Sequence, residues 1–486
     1  MDQQVNVRRL ALETLLKEQQ EDCMSSILIR EVLAKYSGLD RQERAFYRRL
    51  TAGTIEYRLQ LDLILDFFSK TKTSKMKPVI REILRMGAYQ ILYMDSVPDS
   101  AAVNEAVKLA ARKGFGSLKG FVNGVLRSVA RDGRKVSEEY RAGKAETDPV
   151  SALAFSASMP TWLLEKWIGQ LGMAETEEMC RAFLKERPLT ARIRGCAAGG
   201  ESPEDFPEGA GRCSILPDAC YLYRTGDLTD LPAFRDGSLI IQDLAGQIAV
   251  RAAGIRSGDT VVDVCCAPGG KTILAADLCR IKNPEKGEDS GHGENREEEF
   301  TVEPGMVYGR DISEARLRRV EENLDRCRID NCLLEVRDAR LCDPDFEEKA
   351  DVVIADVPCS GYGDIGRKPE IKYRAGREKE EALVKLQRDI LASAVKMIKP
   401  GGTLLFSTCT INRAENEDNA AWLLENFSLE PADLTEMVPQ GLKLPDRKTL
   451  QRGFLQILPQ YTGEIPCDGF FFAVFRKKQD DHAFGI

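Results

Sequence analysis

From about residue 258 the chain alternates short apolar runs with amphipathic stretches: TVVDVCC, ILAADLCR, MVYGRDIS, LRRVEENLDRC, LLEVRDA, DVVIADV, LVKLQRDILASAVKMI and GGTLLFSTCT. Such alternation predicts a parallel sheet with helices on both faces. Runs so uniformly apolar are those of strands buried on both sides. Sheets of this kind bind ligands at the carboxyl ends of their strands, so chemistry is expected in the residues that follow each run. This α/β domain is predicted over residues 246–478.

The first strand leads into DVCCAPGGKT, where Gly269 and Gly270 permit a tight turn and the free amides of the next helix favour an anion. The spacing is neither that of a nucleoside triphosphatase loop nor the G-x-G-x-x-G of dinucleotide folds. A carboxylate then closes each following strand: Asp311 in GRD, Asp338 in EVRD and Asp356 in VVIAD. Singly, each reads as a helix cap or turn residue. In series they suit one ligand, with ribose hydroxyls on the carboxylate after the second strand and an adenine amino group on the one after the third.

Composition narrows the chemistry. The 486 residues are 43% hydrophobic and 30% charged, which describes an ordinary globular chain of about three domains. No run of about 18 apolar residues offers a membrane span, and the charged, amphipathic opening does not read as a secretory signal, so the cytoplasm is expected. Fourteen cysteines are scattered without a C-x-x-C pair, and the two histidines are His292 and His482. No metal site is therefore expected, and catalysis falls to Cys, Asp, Glu, Lys or Tyr. The net charge of −8 is uneven. Basic side chains outnumber acidic ones over residues 1–140, whereas residues 283–304 hold eight acidic and two basic residues and read as an inert surface insertion.

The first 135 residues contain no convincing strand and read as an all-α bundle, with the stripe Ile80, Ile83, Leu84, Tyr89, Leu92 at helical spacing. Residues 136–150 are polar and punctuated, a linker. Residues 151–245 mix helical stretches with short strand-like runs, a small α+β connector subdomain.

Three groups of residues carry a resemblance. DSAAVNEAVKLA with KGFVNGVLR resembles the helical RNA-binding domain of the NusB antiterminator; a dimerisation or linker bundle is the alternative. P-x-W-L-L, R-I-R and I-I-Q-D-L-A-G-Q resemble the connector preceding the catalytic domain in RNA cytosine-C5 methyltransferases. D-x-C-x-A-P-G-G-K-T, P-C-S-G at Cys359 and S-T-C-T at Cys409 resemble the motifs of that same family. The order of the three parts is that of the bacterial small-subunit rRNA methyltransferase B family. It implies a Rossmann-like methyltransferase sheet preceded by a NusB-like bundle and a connector.

The resemblance also implies a cofactor and roles. S-adenosyl-L-methionine would have its methionine end lined by Cys265, Cys266, Ala267, Pro268, Gly269, Gly270 and Lys271. Its ribose would meet Asp311 and its adenine Asp338, with Asp356 nearest the sulfonium and the target base. Cytosine C5 becomes nucleophilic once a thiolate adds to C6. Spacing alone leaves open which cysteine attacks. By resemblance Cys409 attacks, Cys359 promotes product release, and Asp356 holds the base near N3. The family usually has Ala at Cys266, Ser at Thr410 and Asn at Arg194. Glu415 and Glu417 match its E-x-E, or are first-turn helix charges.

The implied partner is 16S rRNA, free or in an early assembly state, acted on by a monomer. Alternatives are the same chemistry on tRNA or another rRNA site, or an inactive RNA-binding or antitermination factor. The target must leave its stack, which favours loop RNA. Arg8, Arg9, Arg48, Arg49, Lys113 and Lys119 are candidate phosphate contacts. The strip Arg367, Lys368, Lys372, Tyr373, Arg374 suits phosphates and a stacked base, or is a solvated loop.

Overall fold

The computed structural model describes residues 6–21, 23–195, 209–223, 228–280 and 305–479, so the acidic stretch 283–304 lies outside the described residues. The chain forms two compact units, one of residues 1–184 with 365–374 and one of 185–364 with 375–486. Among the described residues, no helix is long and apolar enough to cross a membrane.

The first unit is helical: α1 (Val7–Gln20), α2 (Ser25–Lys35), α3 (Arg41–Glu56), α4 (Arg58–Phe68), α5 (Pro78–Tyr93), α6 (Asp99–Arg112), α7 (Lys119–Ala145), α8 (Pro149–Ser156), α9 (Thr161–Leu171) and α10 (Met173–Leu184). The expected stripe on α5 is there, with Ile80, Ile83, Leu84 and Tyr89 in the core. The expected linker is not. Helix α7 continues to Ala145 because Val122, Val125, Leu126, Val129 and Val136 keep one narrow face buried while the rest is polar. Only residues 146–148 then separate it from α8, whose Asp148 accepts from the Ser151 amide. The helices of the expected connector, α8 to α10, belong to this unit, and its strands to the other.

Lys372, Tyr373 and Arg374 of the basic strip depart from both readings. Glu370 is buried and accepts the amide of Ser25, the first residue of α2, at 2.6 Å. That helix has no side-chain cap of its own. Lys372 Nζ donates to the Glu56 carbonyl at 2.7 Å and Tyr373 OH to that of Ile55 at 2.8 Å, both at the end of α3. Arg374 Nη2 donates to the carbonyls of Glu18 and Cys23, at the end of α1 and just beyond. Cations at helix C-termini and a carboxylate at an N-terminus satisfy orphan backbone groups and complement the helix dipoles. Burial pushes the Lys372 ammonium down to about 8. The ring of Tyr373 lies under the Arg58 guanidinium, 4.5 Å from centroid to charge.

The second unit begins with β1 (Leu189–Ile193), β2 (Ala210–Arg212), β3 (Ala219–Leu222) and β4 (Leu239–Ile241), an antiparallel sheet ordered β2-β3-β1-β4. A short α11 (Pro232–Arg235) and α12 (Leu244–Ala252) flank β4. The main sheet contains β5 (Thr260–Asp263), β6 (Met306–Asp311), β7 (Cys332–Val336), β8 (Ala350–Asp356), β9 (Ile398–Thr408), β10 (Leu429–Pro431), β11 (Phe454–Ile457) and β12 (Phe470–Lys477). Its order is β10-β12-β9-β8-β5-β6-β7, with β11 on β12. Strands β5 to β9 pair in parallel and β12 runs antiparallel. Helices α13 (Gly270–Arg280), α14 (Glu314–Arg326), a one-turn α15 (Ile371–Arg374) that lies in the first unit, α16 (Arg377–Met397) and α17 (Glu417–Asn426) complete the chain. Burial on both faces holds for β5 and β8 but not for β7, an edge strand with Leu333 and Val336 exposed.

Arg192 and Arg194 of the small sheet both reach Asp277 of α13, with Arg194 Nη2 at 2.7 Å. Arg194 also donates to the carbonyls of Gly237 and Cys327. The residue that departs from the family's Asn therefore fastens the small sheet to the first sheet helix.

Candidate active site

The order reverses between β5 and β8, the switch point where ligands of such sheets bind. The predicted site residues sit along this carboxyl edge. Asp263, Asp311 and Asp356 end β5, β6 and β8, Asp338 follows β7, and Cys409 follows β9.

Asp263 opens the glycine-turn motif but was not among the expected site residues. Its Oδ2 accepts from Thr272 Oγ1 at 2.8 Å and its Oδ1 from the Cys265 amide at 3.4 Å, so one carboxyl spans both ends of the turn. Burial pushes it up to about 7. Within the turn, Gly269 has φ +105°, and a Cβ there would stand 3.1 Å from Val320 Cγ1. The side chains of Cys266 and Ala267 pack into the core with Ile273 and Val320. Burial pushes both the Cys265 and Cys266 thiols up.

Two observations bear on whether this edge fits S-adenosylmethionine. Asp311 is buried and accepts the Ser313 amide through Oδ1, yet its Oδ2 has no hydrogen-bond donor, although Arg316 Nη1 lies 3.2 Å away. Gln242, just after β4, has both amide atoms buried without a partner and lies against the position a Cβ on Gly270 would take, at 3.6 Å. A buried polar group left unpaired costs about 1–3 kcal/mol, so the Gln242 position favours a polar ligand, while Asp311 Oδ2 keeps an ion pair with Arg316 and room for a hydrogen-bond donor. Asp338 is more occupied. Its carboxylate receives the Arg340 guanidinium at 3.0 Å and 2.5 Å, and those hydrogen bonds hold it below the usual carboxylate range.

Asp356 lies opposite Ser407 in the β8–β9 register and accepts its hydroxyl at 2.8 Å. Its other oxygen receives Lys271 Nζ at 2.7 Å. Burial would lower the Lys271 pKa, but Asp356 beside it, and then Cys409, raise it. Lys271 also sits 5.0 Å above the ring of Phe470.

Cys359 Sγ and Cys409 Sγ are 3.4 Å apart. The Cys409 thiol is pushed well up, first by its hydrogen bond with Cys359, then by burial and by the negative charges of Asp364 and Asp356. The turns bearing the two thiols are joined backbone to backbone. Gly363 N donates to the Cys409 carbonyl, and Gly469 N to the Gly363 carbonyl, each at 3.0 Å. Only glycine fits at 363, where a Cβ would fall 1.7 Å from the Gly469 oxygen. Of the E-x-E pair, Glu417 lies in the first turn of α17, whereas Glu415 is buried ahead of that helix. A thiol pair beside a lysine, a carboxylate and a glycine-lined turn is equipped for nucleophilic addition to an electron-poor ring.

Comparison with known proteins gives the lineage. A NusB family model matches residues 5–131, and a 16S rRNA methyltransferase RsmB/F model matches residues 298–476. The probable ribosomal RNA small subunit methyltransferase B of Bacillus subtilis is 33% identical, over 97% of this chain and 99% of its own. The Synechocystis protein of the same description is 30% identical, over 97% and 100%. The fold is shared with the crystal structure of PH0851, at TM-score 0.71 and 23% identity over 98% of this chain and 99% of that one. It is shared also with NSun6 from Pyrococcus horikoshii with SFG, at TM-score 0.52 and 19% identity over 66% and 99%. With its NusB-family helical domain in front, the chain belongs to the 16S rRNA methyltransferase RsmB/F family and is an S-adenosylmethionine-dependent RNA methyltransferase.

Proposed function

We propose that this protein methylates C5 of a loop cytosine in 16S rRNA through a covalent bond between Cys409 and C6. The observation that carries the reading is the 3.4 Å approach of Cys409 to Cys359 beside the Lys271–Asp356 pair. S-adenosylmethionine, when bound, supplies an electrophilic methyl group. Asp311 would take its ribose, Asp338 its adenine, and Gln242 with the turn from Cys265 to Lys271 its methionine end.

The rest of the chemistry belongs to the chain. Asp356 holds the base at its N3 edge. Cys409 loses its proton, which passes by way of Asp356 to N3 as the sulfur bonds to C6, so the C5–C6 electrons become those of an enamine nucleophilic at C5, and Lys271 stabilises the thiolate that attacks. After methylation C5 gives up its proton to solvent, the electrons of that C–H bond re-form the C5–C6 double bond, and the Cys409 sulfur leaves C6 as a thiolate that takes back the proton held at N3. Cys359, whose sulfur stands 3.4 Å from that of Cys409, promotes this release.

The test is methyl transfer from labelled S-adenosylmethionine to protein-free 16S rRNA, assembled small subunits and tRNA, with mapping of the product. 5-Methylcytosine in 16S rRNA is expected. Label in tRNA alone would overturn the substrate, and no label in any RNA would overturn the activity.

A further inference from the structure

Glu415 lies between the two thiol-bearing turns, buried, and each hydrogen-bond partner of its carboxylate is a donor. Oε2 accepts the Ser360 amide at 2.9 Å and Gln387 Nε2 at 2.8 Å. Oε1 accepts Asn412 Nδ2 at 2.7 Å and the Ser360 hydroxyl. Ser360 follows Cys359, and Asn412 lies three residues beyond Cys409. Gln387 Nε2 donates also to the carbonyl of Pro358, on the other side of Cys359.

The directions of these bonds are fixed by their donors. Ser360 spends its one hydroxyl proton on Glu415, so in its 2.6 Å contact with Thr410 it is the acceptor. Thr410 therefore donates to Ser360 and accepts the Tyr362 amide at 3.3 Å. The chain runs in one sense from Tyr362 N through Thr410 Oγ1 and Ser360 Oγ to Glu415, crossing from one thiol turn to the other and back.

We propose that Glu415 is a positioning residue for the methyl transfer, holding Cys359 and Cys409 at their mutual distance through the Ser360–Thr410 chain. The proposal rests on the two-thiol reading above. Glutamine is nearly isosteric with glutamate, but its amide would turn an N–H2 group towards two donors. Glu415→Gln therefore breaks or reverses two of the four bonds without opening a cavity. Displacing a reacting group by about 1 Å costs on the order of 10²-fold in rate.

The experiment compares wild type with Glu415→Gln, Thr410→Val and Thr410→Ser, after thermal melts establish that each is folded. Expected for the first two is a kcat fall on the order of 10²-fold with KM for S-adenosylmethionine unchanged, and for Thr410→Ser a return to near wild type. A second readout needs no RNA. Oxidised glutathione should link Cys359 to Cys409, two protein thiols going to one disulfide as glutathione leaves as two thiols. Both disruptive variants should form that link more slowly. Wild-type kcat and cross-linking rate in Glu415→Gln would overturn the positioning role. No turnover by wild type, with cross-linking still slowed in the variants, would overturn the methyltransferase reading and leave Glu415 as the clamp.

Discussion

Lys271 Nζ meets Asp356 Oδ2 at 2.7 Å, which joins the start of α13 to the end of β8. The charge of Cys409 is felt at the same ammonium. Lys271→Met should therefore leave the thiolate less favoured, so the acid limb of the kcat profile moves to higher pH. A neighbouring opposite charge shifts a pKa by about 1–3 units, so activity at neutral pH should fall at least roughly tenfold and recover in part on raising the pH. An unchanged pH profile would show that Lys271 serves Asp356 alone.

Removing each thiol should have opposite consequences. Cys409→Ala should give no covalent RNA complex on denaturing gels, whereas Cys359→Ala should accumulate one, because the sulfur at C6 then lacks its partner for release. Equal accumulation by both variants would reverse or remove the assignment of roles.

Gln242 offers an unpaired donor and an unpaired acceptor beside Gly270. Gln242→Leu keeps the volume and removes both. Binding of S-adenosylmethionine, measured by calorimetry, should weaken by about 1–3 kcal/mol while the melting temperature without it holds or rises. Unaltered affinity would remove Gln242 from the cofactor site.

Arg374→Ala and Glu370→Ala strip caps from α1 and α2, so each should destabilise the helical unit, by about 1–3 kcal/mol in denaturant titrations. Because Lys372 and Arg374 hold backbone carbonyls, Lys372→Met and Arg374→Ala should leave the salt dependence of RNA binding unchanged. Loss of a phosphate contact would instead lower the logarithmic salt slope by about 1.

Asp263 has its carboxyl pushed up to about 7 by burial. The folded chain thus holds a proton there that the unfolded chain has released above pH 4, and stability from this group falls as pH rises through 7. Asp263→Asn should melt at a temperature less sensitive to pH between 5 and 8 than wild type, since an amide can still accept from the Cys265 amide. An identical pH dependence would show that Asp263 does not titrate in this range.

The strand ends were legible because a parallel sheet allows few places for chemistry, and Asp311, Asp356, Cys359 and Cys409 stand where the apolar runs stop. The run 136–145 looked like a linker because a long helix with one narrow buried face has mostly polar residues. Lys372, Tyr373 and Arg374 were misread for a different reason. Their partners are carbonyls more than 300 positions away, and a cation that caps a helix has the same letter as one that meets a phosphate. Glu415 carried a motif signal but no hint of burial. Ser407 could have been found only from the register opposite Asp356.

A ribosome delivers α1, α2 and α3 early, but the residues that close their ends arrive only with Glu370, Lys372, Tyr373 and Arg374. At about 5–20 residues per second, the nascent bundle must wait tens of seconds for them. During that interval its helix ends are available to other binders, and the bundle reaches its finished form only after the Cys359 turn has also been made.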